Sequence, residues 1–285
     1  MSSASPKALL HRLGLKPKKS LGQHFLVHPH QARRIVAALL PTFDDVVVEI
    51  GAGLGALTVL LAAAASRVVA LEKDPALARF LAEELFADNP RVEVVCQDVL
   101  KFDFLALSRN AGRPLAVAGN LPYQITSPLL FKLIEELPAL GRAVLMMQQE
   151  VGDRLLARPG TKDYGVLSVL IQYHFQLERV FSLSPANFFP PPQVSSVVLK
   201  LTPGSPEPRA RDEALLARVV KTAFGQRRKS LNNALVARAP SLGVEVEELR
   251  GALADLDIDP RRRGETLSVA EFVAVCNKMG RLGND

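Results

Sequence analysis

Apolar residues in this chain fall into short unbroken runs separated by stretches of helical spacing. Runs at 46–48 with Ile50, 68–71, 92–96, 115–118 and 143–147 have strand length and little alternation. That pattern predicts strands buried on both faces. Between them, Leu77, Phe80, Leu81 and Leu85 follow Asp74-Pro75, and Leu130, Leu133 and Leu137 follow Ser127-Pro128. Asp or Ser before Pro is an N-cap followed by a first-turn proline, so both stretches are predicted to open helices there. Pro29 likewise opens a helix through Ile35, Val36 and Leu39 that Pro41 ends. Strand and helix alternate, which predicts an α/β fold of Rossmann type: a mostly parallel sheet with helices on both faces. Two later strands, 178–182 and 194–201, are the candidates for an antiparallel edge.

The pattern changes after residue 201. TPGSPEP at 202–208 is a linker by its Pro, Gly and Ser content. Beyond it the spacing is helical only, with Leu215, Val219, Val220 and Phe224 on one face, Leu231 and Leu235 on another, and Ser268 with Glu271 as a capping box. The expected organisation is a basic N-terminal arm at 1–28, an α/β domain at 29–201, the linker at 202–208, and a small all-helical domain at 209–285.

Composition adds limits. A chain of 285 residues can bury a full core. Its two cysteines, Cys96 and Cys276, cannot build a disulfide framework; Cys96, in a strand-like run, is expected to be a buried thiol, and a reducing cytoplasm fits. The longest apolar run, 56–65, falls far short of the roughly 20 residues that span a bilayer, so no membrane association is expected, nor a secretory leader. Net charge is +6, and the first acidic residue is Asp44, preceded by seven Lys or Arg and four His. A basic arm of this kind suits phosphate or a solvated tail equally.

Candidate chemistry gathers where the strands end. Gly51, Gly53 and Gly55 form a turn between the first strand and an Ala/Leu-rich helix, where free N–H groups can face a ligand. Glu72 closes the next strand and can accept bonds from both ribose hydroxyls, so the unit reads as an adenosine-cofactor site. A glycine turn that only packs helix on strand is the plain alternative. The turn also satisfies G-x-G-x-x-A, which leaves dehydrogenase and methyltransferase both open. In an open α/β sheet the ligand lies beyond the carboxyl ends of the strands, and four such ends carry Gly51, Glu72, Asp98 and Asn120.

Asn120-Leu121-Pro122-Tyr123 separates the two cofactors. An exocyclic amine on a base is a poor nucleophile because its lone pair is delocalised into the ring. If the Asn120 side-chain carbonyl and the Leu121 backbone carbonyl accept its N–H bonds, the nitrogen can pyramidalise toward an electrophile without a strong base. Pro122 stiffens the loop and Tyr123 offers a face for the base. The matching electrophile is the methyl sulfonium of S-adenosyl-L-methionine, with Glu72 and Asp98 at its adenosine.

With these residues, the chain resembles the KsgA/RsmA-type ribosomal RNA small-subunit adenine dimethyltransferases over nearly its whole length. The shared motifs are LGQHFL at 21–26, EIGAGLGALT at 49–58, NLPY at 120–123, FFPPPQVSSVV at 188–198 and FGQRRKSLNNAL at 224–235. The resemblance implies a class I methyltransferase fold, S-adenosyl-L-methionine as donor, and two adjacent adenosines near the 3′ end of small-subunit rRNA as acceptors. It places cofactor contacts at His24, Leu26, Gly51, Gly53, Glu72, Asp98 and Asn120, and the reacting base at Asn120, Leu121, Pro122, Tyr123 and Phe188. Arg227, Arg228 and Lys229 are the expected RNA contacts; without the resemblance they read as a solvated face. The chain departs from the family at His24, usually Asn, and at Ser195-Ser196, usually Asp-Ser. No metal is expected, because the histidines lack ligand spacing, and a monomer is expected. Two alternatives stay open: the macrolide-resistance type that modifies large-subunit rRNA, and a nonenzymatic RNA- or DNA-binding assembly or transcription factor.

Overall fold

The computed structural model of the chain describes residues 5–204 and 206–279. Ser205 of the expected linker, residues 1–4 of the arm and residues 280–285 of the helical domain lie outside the described residues. The chain divides into two compact units, Met1–Gly152 with Gln176–Pro203, and Asp153–Phe175 with Gly204–Asp285.

The strands are β1 (Phe25–Leu26), β2 (Val46–Ile50), β3 (Arg67–Glu72), β4 (Val92–Cys96), β5 (Leu115–Asn120), β6 (Leu140–Gln148), β7 (Phe175–Leu183), β8 (Phe188–Phe189) and β9 (Ser196–Pro203). The helices are α1 (Pro6–Arg12), α2 (Pro29–Leu39), α3 (Thr58–Ala64), α4 (Pro75–Phe80), α5 (Phe104–Ala111), α6 (Thr126–Glu135), α7 (Gln149–Leu155), α8 (Val166–His174), α9 (Glu213–Gly225), α10 (Leu231–Ala234), α11 (Ala239–Leu242), α12 (Val246–Asp255) and α13 (Val269–Met279).

The main sheet of the first unit has the order β4-β3-β2-β5-β6-β9-β7. β4, β3, β2, β5 and β6 pair in parallel, and β9 runs antiparallel to β6. Ile50 stands opposite both Leu71 and Gly119, and Glu72 opposite Cys96, so the carboxyl ends of four strands finish level. Every residue of β2 is buried, Glu49 included, as a strand covered on both faces requires. Leu39 of α2 and Leu61 of α3 are fully buried against this sheet.

Local details depart from the expected pattern. Cys96 is exposed, because β4 forms the edge of the sheet and its outward positions meet solvent. α6 starts at Thr126 rather than after a Ser127 cap, since the 3₁₀ turn Tyr123–Ile125 feeds straight into it. The proline-rich segment begins as strand β8, which pairs antiparallel with β1, Phe25 facing Phe189 and Leu26 facing Phe188.

Residues 153–175, expected in the α/β domain, cluster instead with the C-terminal helices. The apolar content of α8 supplies the reason: Leu170, Ile171 and Tyr173 are buried, and the Tyr173 hydroxyl bonds Glu213 at 3.3 Å and the Ala210 N–H at 3.0 Å. Asp212 caps α9 through the Leu215 N–H at 2.8 Å. Ser268 and Glu271 form the capping box of α13, with bonds of 3.1 and 2.7 Å. Leu216, Val219, Val220, Leu253 and Phe272 fill the core of this unit.

Candidate active site

The glycine turn after β2 folds back onto β3: the N–H groups of Gly51 and Ala52 both donate to the Leu71 carbonyl, at 2.9 and 3.1 Å. Gly53 has φ +58°, a conformation that favours glycine, and a Cβ there would also stand a tight 3.2 Å from the Phe25 ring. Its N–H donates to Glu72 Oε2 at 2.8 Å, while Glu72 Oε1 accepts the Asp74 N–H at 2.8 Å. Burial pushes the Glu72 carboxyl up, and these backbone donors oppose that shift. A carboxylate has about four acceptor sites, so Glu72 keeps capacity for a further donor beside these backbone bonds.

Asp98 lies just beyond β4 and caps the next turn through the Leu100 N–H at 3.0 Å, while its other oxygen meets Lys73 Nζ at 2.7 Å. That lysine holds the Asp98 carboxyl below its ordinary range. Asn120 ends β5. Its Nδ2 donates to the His24 carbonyl at 2.8 Å; because a carbonyl only accepts, this bond fixes the amide and leaves Oδ1 as an acceptor. The Leu121 N–H bonds the Met146 carbonyl at 3.0 Å, which fixes the orientation of the next peptide.

Gly51, Gly53, Glu72, Asp98, Asn120, His24 and Leu26 all line one cleft of about 830 Å³. Ile50, Leu54 and Val99 add apolar wall. The cleft fits an adenosine-bearing cofactor: paired acceptors on Glu72 for a ribose, a carboxylate on Asp98 for a base amine, and backbone approach at the glycines. Among the described residues no cluster of three or more His, Cys, Asp or Glu could hold a metal ion, and no helix is long and apolar enough to cross a membrane.

Tyr123 lies half-buried, its hydroxyl 2.9 Å from Ser196 Oγ and its ring stacked on His24 with centroids 5.8 Å apart. Ser196 is fully buried. Phe188, expected to face the base, is only 4% exposed within the core cluster that also holds Leu26. Its strand pairing turns it inward, so its ring presents no open face; Phe189 is half-buried beside Leu10, Phe25 and Leu77.

Sequence reasoning missed the anchors of the N-terminal segment. Lys18 Nζ and Gln23 Nε2 grip the two oxygens of Asp74 at 2.7 and 3.0 Å, and Gln23 Oε1 accepts the Lys18 N–H at 2.8 Å. Asp74 therefore caps α4 and ties residues 18–23 to the strand end. Nothing in a single sequence links positions so far apart.

In the second unit the predicted basic run divides. Arg227 is engaged internally: Nε bonds Glu265 at 2.6 Å, and Nη2 donates to the carbonyls of both Thr161 and Lys162. Arg228 and Lys229 are exposed.

Comparison with known proteins agrees with this geometry. The family model for ribosomal RNA adenine dimethylase matches residues 14–275. A protein of Geobacter metallireducens named ribosomal RNA small subunit methyltransferase A is 45% identical over 95% of this chain and 98% of its own length. A dimethyladenosine transferase from Plasmodium falciparum superposes with a TM-score of 0.78 at 26% identity, covering 90% of this chain and 98% of that one. The 23S rRNA methyltransferase ErmE gives a TM-score of 0.68 at 25% identity, covering 90% of this chain and 99% of its own. The chain thus belongs to the ribosomal RNA adenine dimethylase family and is an S-adenosylmethionine-dependent enzyme with the class I methyltransferase fold.

Proposed function

We propose that the chain dimethylates the 6-amino groups of two adjacent adenosines near the 3′ end of small-subunit rRNA, acting as a cytoplasmic monomer during small-subunit maturation. The orientation of Asn120 carries this reading. Because Nδ2 is committed to the His24 carbonyl, Oδ1 is set as an acceptor at the rim of the cleft that holds Glu72 and Asp98. Such a site suits an aromatic amine and offers nothing to a hydride acceptor.

S-adenosylmethionine supplies an electrophilic methyl on its sulfonium. Glu72 holds the ribose end, and Asp98 accepts from the amine of the cofactor's base. Asn120 Oδ1 and the Leu121 carbonyl accept the two N–H bonds of the target, drawing its lone pair out of the ring. With the cofactor bound, the nitrogen lone pair would form the new N–C bond as the sulfonium's carbon–sulfur pair returned to sulfur, and one amine proton would pass to solvent. The second transfer repeats this with one N–H bond fewer. Exposed Arg228 and Lys229 are suited to phosphate contacts.

Asn120→Ala tests the mechanism, because the proposed bonds strengthen as nitrogen pyramidalises in the transition state. Single-turnover methylation should fall at least about a hundredfold while filter binding of RNA changes less than about threefold. Equal losses would reduce Asn120 to a loop support. Label appearing in large rather than small subunits would favour the macrolide-resistance reading, and no label would favour the nonenzymatic one.

A further inference from the structure

His24 lines the cleft where the resemblance places a cofactor contact, but its ring is engaged with the loops on the acceptor side. Nδ1 lies 2.7 Å from the Pro190 carbonyl. A carbonyl can only accept, so Nδ1 carries the hydrogen, and in the neutral ring Nε2 keeps a free lone pair. The ring itself lies against Tyr123 at an interplanar angle of 24°. Through its backbone the same residue accepts the Asn120 amide. One residue thereby joins the 21–26 segment, the NLPY loop and the start of the proline-rich segment.

These contacts bear on the acceptor, not on the donor. Asn120 Oδ1 must meet the target nitrogen while the Tyr123 ring fixes the plane of the base, and misplacing either by about 1 Å can cost up to a hundredfold in rate. Tyr123 is held at its hydroxyl end by Ser196 and along its ring by His24. The inward Phe188 supplies no second face. We propose that the His24 side chain is a positioning residue for the acceptor adenine: it sets the Tyr123 ring relative to the Asn120 carbonyl. This rests on the adenine-methylation reading above.

The test compares the parent with His24→Ala and His24→Phe, the latter keeping the ring and losing the donor. Calorimetry with S-adenosylmethionine should give dissociation constants within about twofold of the parent for both variants. The single-turnover rate at saturating small subunits should fall about tenfold in His24→Ala, with at least half of that loss recovered in His24→Phe. Nitrogen NMR of the parent should show Nδ1 protonated and Nε2 bare, a readout independent of activity. The proposal is overturned if cofactor affinity falls in step with rate, if His24→Ala turns over at the parent rate, if His24→Phe recovers nothing, or if the proton sits on Nε2. A parent that methylates no adenine removes the underlying reading instead, which the wild-type control shows by itself. Should His24→Ala fail to fold, His24→Phe and the NMR tautomer still decide the matter.

Discussion

Glu49 and Glu72 lie near the carboxyl ends of neighbouring strands with different tasks. Glu72 has backbone donors at both oxygens, whereas Glu49 is 1% exposed and its Oε2 has no hydrogen-bond partner among the described residues. Burial, with the Glu72 charge nearby adding to it, pushes the Glu49 carboxyl from 4.5 up to about 8. A raised folded value means that the stabilising contribution is complete below 4.5 and lost as pH climbs toward 8. Within that window the parent should lose up to about 1.4 kcal/mol per pH unit relative to Glu49→Gln. Denaturant melts of both proteins across the window measure it; parallel curves would mean that Glu49 does not titrate there. Glu72→Ala should instead weaken S-adenosylmethionine binding about ten- to a hundredfold in a folded protein, read by calorimetry, through loss of charge-assisted bonds worth about 1.5–3 kcal/mol. Unchanged affinity would falsify the ribose role. Glu72 was legible in the sequence because it follows an apolar run directly, and Asp98 and Asn120 because each stands two residues beyond one. Phe188 was not: two adjacent aromatics before prolines do not say which one points inward, and the β1–β8 pairing decides it.

Among the elements, the parallel strands and the glycine turn were legible because unbroken apolar runs and turn residues have local causes. The N-terminal segment was not, since Lys18, Gln23 and Asp74 meet only in three dimensions. The same segment brings Phe25 over the glycine turn, where a Cβ on Gly53 would stand 3.2 Å from the ring at a φ of +58°. Gly53→Ala should therefore cost about 1–2 kcal/mol of stability from left-handed strain. Moving its N–H off Glu72 should also weaken cofactor binding. Thermal melts and cofactor titrations check both effects; an alanine variant with parent stability and affinity would show that the turn tolerates a side chain.

On the scale of the whole molecule, the expected boundary near residue 201 missed the membership of α8. Its apolar spacing serves a sheet or a helical bundle equally well, and contacts such as the Tyr173 bonds to Ala210 and Glu213 reveal which. The second unit also separates the basic run by task. Arg227→Glu should destabilise that unit by breaking the Glu265 pair and the bonds to Thr161 and Lys162, whereas Arg228→Glu with Lys229→Glu should leave the melting temperature unchanged. The double variant should weaken RNA binding and lower the slope of log affinity against log salt by about 2. An unaltered slope would return these residues to solvent. The proposed outcome is the modification of a defined pair of bases. The direct measurement is to incubate the protein with labelled S-adenosylmethionine and unmethylated small subunits, then map the label by nucleotide. The account predicts two adjacent adenosines near the 3′ end, each carrying two methyl groups on its 6-amino nitrogen; label on any other nucleotide, or on a ring nitrogen, would contradict it.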